Sequence, residues 1–146
     1  MAYPTKINGE IIKKGGLDGL MLEVWNDHAD IETFSVEKFN STTSAPNIIG
    51  ALREDNKEKK PLDSIGRTFI GIDDKDLNGS YETIYIFSAE ESTAATAART
   101  LKQFGADKVI MLDGSGSSQL VVEDKTYLKG DQRKIPQTIG ILKKSS

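Results

Sequence analysis

Between two strongly apolar stretches, ETIYIFS (Glu82–Ser88) and DKVIMLD (Asp107–Asp113), the chain places SAEESTAATAARTLKQFGA. Ala94, Ala97, Ala98, Leu101 and Phe104 recur there at helical spacing and form one narrow apolar stripe. A buried face made mostly of alanine must come close to whatever it covers, and a sheet is the natural partner. Ser88 and Glu91 have capping-box spacing, which predicts Ser88 as the N-cap. Gly105 suits the left-handed position that ends a helix. DKVIMLD lacks alternation, which predicts a strand buried on both faces. Strand, helix and strand then make a right-handed βαβ unit, with a connection long enough for parallel pairing.

The remaining segments supply hairpins. GLMLEVW (Gly19–Trp25) and ADIETFSV (Ala29–Val36) flank the turn-like Asn26-Asp27-His28. Glu23, Glu32 and Ser35 among their apolar positions predict one wet face. RTFIGID reads as a strand returning through DKDLNG, where Asn78-Gly79 is the strongest turn pair in the chain. SQLVV and the segment around Thr138–Leu142 read as further strands, with EDK as a tight turn. Asn40 to Ser64 is the least structured part: a loop, the short apolar run IIGAL, and the charge run REDNKEKK, which reads as a solvated loop. The expected architecture is α+β: one domain over 1–146, a mixed sheet with one βαβ unit and β-hairpins.

Composition excludes several classes. At 146 residues the chain can bury a real core. A net charge of −3 with mixed signs leaves no footprint for a nucleic-acid polymer or a membrane surface. There are no cysteines, so disulfides and thiolate metal sites are out. No segment approaches the apolar length of a membrane span, and the start lacks a signal-peptide core. The chain as given reads as cytoplasmic, with a secreted mature fragment as the alternative. A homo-oligomer is left open.

Chemistry concentrates after the buried strand. Asp113 is followed by five small residues, Gly114, Ser115, Gly116, Ser117 and Ser118, before a second apolar run. Past the carboxyl end of a parallel strand is where α/β sheets place ligand sites. Glycines there let backbone N–H groups converge on an anion, and three hydroxyls add donors. The competing reading is a plain tight connection. The loop lacks the third glycine of a dinucleotide fingerprint and the Gly-Lys-Ser/Thr end of a P-loop.

IMLDGSGSSQLVV resembles the LDGGGS signature of the phosphodiester glycosidase domain family, which includes the mammalian uncovering enzyme, an N-acetylglucosamine-1-phosphodiester α-N-acetylglucosaminidase. GRTFIGID, the SAEES…LDG block and GDQRKIPQTIGI are similar to further family motifs, in unbroken order over Gly66–Leu142. KINGEII and SAPNIIGALRE resemble earlier family segments more weakly. Ser115 stands where the signature has its middle glycine, and the chain has the look of a compact or truncated member.

The resemblance implies a hydrolase that cleaves the glycosidic bond of a sugar-1-phosphate diester or related nucleotide-like ligand. The alternative is a non-catalytic module that holds a phosphorylated sugar or nucleotide. Either implies a phosphorylated small molecule or glycan as partner. A phosphate monoester leaves readily, so the needs are an anion clamp, stabilisation of positive character at the anomeric carbon, and an activated water or nucleophile. Arg67 and Arg133 suit the clamp, because guanidinium forks match phosphate geometry. Gly114–Ser118 would complete it, with Asn8 as a sugar contact and Asp131 orienting Arg133. Asp113 is the catalytic carboxylate, as base, nucleophile or hydroxyl acceptor, and Arg67 is assigned to catalysis with it. No cofactor and no metal is expected. Asp74, Asp76, Asn78 and Gly79 begin like an EF-hand loop, but Tyr85 occupies its twelfth position, so a hairpin turn is the better reading. His28 reads as a surface turn residue and Trp25 as packing.

Overall fold

A computed structural model describes residues 3–135 and 137–143. Its elements, in chain order, are β1 (Thr5–Ile7), β2 (Glu10–Lys13), β3 (Leu20–Val24), β4 (Ala29–Thr33), α1 (Val36–Asn40), β5 (Asn47–Ala51), β6 (Ile65–Asp73), β7 (Thr83–Ser92), α2 (Ala94–Gln103), β8 (Lys108–Met111), β9 (Leu120–Val122) and β10 (Lys125–Leu128). They form a five-stranded sheet ordered β2-β1-β5-β3-β4, a three-stranded sheet ordered β7-β6-β8, and the hairpin β9–β10. The α+β architecture expected from the sequence is the one observed. No helix among the described residues is long and apolar enough to cross a membrane.

Three layers follow from the alternation of β6. Phe69 packs with Ala94, Ala97, Ala98 and Leu101 of α2. Ile70 and Ile72 point the other way, against Leu22 and Ile31 of the larger sheet. The alanine stripe does bring helix and sheet together: a Cβ on Gly71 would stand 2.7 Å from that of Ala106. On the outer face of the larger sheet, Phe39 of α1 packs with Met21, Phe34 and Ile48.

The βαβ unit is present in split form. Both β7 and β8 pair with β6, each antiparallel, so the two run the same way with β6 between them. The expected parallel pairing is therefore not made. The reason is visible in β6, which is buried along most of its length and takes a neighbour on each edge.

Four further expectations are corrected. Ser88 does not cap α2; it lies inside β7, whose ladder continues to Ser92 opposite Ile65. The cap is Thr93, whose hydroxyl accepts from the Thr96 amide at 3.2 Å. Phe104 leaves the stripe and is 72% exposed, because Gly105, at φ +119°, turns the chain back so that Ala106 closes the stripe instead. Glu23 is not on a wet face but fully buried, covered by α1, whose Lys38 reaches it at 3.0 Å. The segment around Thr138–Leu142 forms no strand among the described residues.

Candidate functional site

β8 delivers Asp113. Met111 exchanges two backbone hydrogen bonds of 2.9 Å with Leu52, and the Leu112 amide donates to the Thr68 carbonyl at 2.9 Å. These fix the strand end from both sheets, so Asp113 emerges at their junction. Lys59 Nζ donates to its Oδ1 at 2.8 Å, and Ser117 Oγ donates to its Oδ2 at 3.1 Å. Arg133 Nη2 lies 4.0 Å from Oδ2 and donates to the Ser117 hydroxyl. Burial alone would raise the Asp113 pKa, but the hydrogen bond and charge of Lys59, with Ser117, outweigh it and hold the carboxyl below its ordinary range.

The small residues after Asp113 are explained first by packing. A side chain at Gly66 would meet the Ser115 carbonyl, one at Gly114 the Gly66 carbonyl, and one at Gly116 the Asp131 carboxylate. The loop is a 3-10 turn over Ser115–Ser117, in which the Ser117 and Ser118 amides donate back to the Gly114 and Ser115 carbonyls at 3.2 and 3.1 Å. Those two amides are spent inside the turn and do not converge on a ligand. Ser115 sits at φ +58°, a conformation that favours the glycine of the family signature. Ser118 is buried and accepts from the Thr68 hydroxyl at 3.2 Å, so it serves the fold.

The two arginines separate. Arg67 is 1% exposed and spends its guanidinium on main-chain carbonyls: Ser92 at 3.1 Å, Lys59 at 2.8 Å, Lys60 at 2.6 Å and Asp63 at 3.0 Å. It pins the 57–63 loop and the end of β7 to β6, and with its donors so used it is no phosphate fork. Arg133 is exposed and stands beside Asp113. Asp131 does not pair with it; the Asp131 carboxylate lies over Gly116 and its amide donates to the Gly116 carbonyl at 3.0 Å.

Asp113 lines two depressions. One, of about 180 Å³, lies between the sheets, where Thr68, Ile70, Ile86 and Ser88 of the smaller sheet face Ile49 of β5 and Tyr3. The other, of about 230 Å³, is bordered by Lys59, Lys60, Arg67, Gly114 and Ser115. Asn8 is not brought to either. It occupies the left-handed turn between β1 and β2, with its amide on the Asn47 side chain at 3.0 Å.

The charge run REDNKEKK is thus not wholly solvent. Its Lys59 pairs with Asp113, 54 residues away in sequence, and no local pattern announces such a pair. Carboxylate oxygens of Asp74, Asp76 and Glu82 lie within 4.8 Å of one another, the one such acidic group among the described residues that can hold a metal ion. Those of Asp74 accept the Asn78 and Gly79 amides at 3.0 and 2.7 Å, as in a hairpin turn.

The sequence model of the phosphodiester glycosidase family matches residues 8–142. No curated protein matches the chain.

Proposed function

Because the chain belongs to the phosphodiester glycosidase family, we propose that it hydrolyses the anomeric C–O bond of a sugar-1-phosphate diester at Asp113. The observation that carries this is one carboxylate that lines both a basic groove and an inter-sheet cleft, with Arg133 4.0 Å from it. In the reaction the bond between the anomeric carbon and the phosphoryl oxygen breaks. The electron pair leaves with the phosphate monoester, water oxygen bonds the carbon, and one water proton goes to solvent or to the product phosphate.

Each contact has a use in that step. Arg133 beside Asp113 and Lys60 in the basic groove supply positive charge for the departing phosphate. Lys59 and Ser117 keep Asp113 charged, which suits a group that stabilises positive character at the anomeric carbon or attacks it. It suits a general acid poorly, and a phosphate leaving group scarcely needs one. Arg67 lines the basic groove, but its donors are spent on main-chain carbonyls, so its part is to hold the loop that carries Lys59.

The non-catalytic binding reading has one observation in its favour: both Asp113 oxygens already accept hydrogen bonds within the chain. Phosphorus and anomeric-proton NMR with a panel of sugar-1-phosphate diesters and nucleotide sugars separates the two. Hydrolysis yields a new phosphate monoester together with free reducing sugar. Asp113→Asn then lowers turnover by roughly 10²–10³-fold with the fold intact. Shifted or broadened signals without product, in wild type and variant alike, are the outcome of a binding module.

A further inference from the structure

Tyr3 lies outside the residues that match the family, yet it lines the inter-sheet cleft with Asp113. It is 4% exposed, and its hydroxyl is a buried polar group with no hydrogen-bond partner among the described residues. Its ring packs in the core beside Leu52, Phe69 and Met111. Its main chain is fully engaged. Gln137 accepts from the Tyr3 amide at 2.7 Å and donates to the Tyr3 carbonyl at 2.9 Å, and the same Gln137 nitrogen donates to the Thr5 hydroxyl at 2.6 Å. The residue is therefore held in place by its backbone, by β1 and by the C-terminal segment, while its one polar side-chain atom is left over.

A core needs no phenol at such a place, since phenylalanine fills the same volume without burying an unpaired hydroxyl. Buried hydroxyls in folded proteins have partners, and an exception calls for a reason. Here the phenol is near enough to Asp113 to feel its charge. Burial, and secondarily that charge, push its pKa upward, so it stays protonated and can only donate toward an anion.

We propose that Tyr3 is a ligand-contacting residue of this site: its hydroxyl donates to an oxygen of the phosphorylated sugar bound against Asp113. The assignment rests on the proposed function for the class of ligand, but it holds equally for a catalyst and for a binder. Gln137 is the positioning residue. It fixes Tyr3 from the same C-terminal segment that walls the cleft through Ile135 and Ile139. The donor is shielded from bulk water, which strengthens a hydrogen bond made to a ligand oxygen.

The test is Tyr3→Phe in the full chain, with methyl N-acetylglucosaminyl phosphate and inorganic phosphate as probes. Three readouts are needed: probe Kd by NMR titration, turnover of the diester, and Tm. The expected result is a Kd weakened roughly 10- to 100-fold for the diester, with Tm unchanged or higher because an unpaired polar group has been removed. An unchanged Kd overturns the proposal. So does a weakened Kd accompanied by a lower Tm that Tyr3→Leu merely repeats, since that marks a structural role. Wild-type turnover is read separately: binding without product sinks the catalytic reading and leaves Tyr3 to be judged on Kd. If wild type binds neither probe, both fall.

Discussion

Two lysine–carboxylate pairs sit at opposite faces of the larger sheet, and they behave in opposite ways. Lys59 meets Asp113 at 2.8 Å, and Lys38 meets Glu23 at 3.0 Å. Yet Asp113 is held below its ordinary pKa, while Glu23 is pushed up to about 7. Burial is the first cause in both and acts in the same direction. What differs is the company. Asp113 keeps about a quarter of its side-chain surface in solvent and adds the Ser117 hydroxyl to its lysine, with Arg133 close by. Glu23 is fully buried, one of its oxygens has no partner among the described residues, and it shares Lys38 with Glu32. One cation between two carboxylates leaves the deeper one carrying the proton. A salt bridge by itself therefore does not set the charge of its carboxylate; the local balance of donors and charges does.

The largest effect expected from breaking this contrast is at Lys59. Lys59→Met removes the cation that does most to lower the Asp113 pKa, and should lower kcat/KM by roughly 10²-fold. The acidic limb of the kcat/KM profile should also move to higher pH, because burial is then opposed by less. A drop in activity with the limb unmoved would mean that Lys59 acts on the ligand rather than on Asp113.

The next effect is on stability and carries the opposite sign for the two pairs. The Glu23 pKa is raised above its unfolded value of 4.5, so the stability it contributes is complete below that pH and is lost as pH rises toward about 7. Asp113 is lowered, so its contribution is present above its unfolded value and is lost in acid. Glu23→Gln keeps an acceptor for Lys38 but cannot ionise. Chemical denaturation across pH 4 to 8 should find the variant equal to wild type in acid. By pH 7 it should be more stable by up to about 3 kcal/mol, from 1.36 kcal/mol per pKa unit. Parallel curves for the two proteins would show that folding leaves the Glu23 pKa unchanged.

How much of this was legible in sequence depends on distance along the chain. The alanine stripe, Gly105, the Asn78-Gly79 turn and the EDK hairpin turn are local patterns and are found as expected; Glu123 and Asp124 adopt the left-handed pair that such a turn requires. Asp113 and its loop carry the motif by which the family is recognised in the sequence. What failed depended on residues far away. Arg67 and Arg133 look alike as motif arginines, but only the fold of the 57–63 loop decides that Arg67 is surrounded by carbonyls and Arg133 is not. Glu23 alternates as a solvent-facing residue should, and α1 then covers that face. Lys59 was hidden in a charge run, and Tyr3 in a segment with no pattern at all.

Ser117 gives the finest test of the comparison, because it is what Asp113 has and Glu23 lacks. Its hydroxyl links Arg133 to Asp113: it accepts from Arg133 Nη2 and donates to Oδ2 at 3.1 Å. Ser117→Ala removes one neutral donor while leaving Lys59 and the turn backbone in place. A single hydrogen bond to a charged group is worth about 1.5–3 kcal/mol at most, and solvent at this half-open position can replace part of it. The expected loss in kcat/KM is therefore several-fold, well short of that for Lys59→Met, with the acidic limb shifted in the same direction by a smaller amount. If Ser117→Ala instead matched Lys59→Met, the hydroxyl would be setting the position of Arg133 as well as the charge of Asp113. The double variant Ser117→Ala with Arg133→Lys would then be no worse than the single one, because the link between the two groups is already broken.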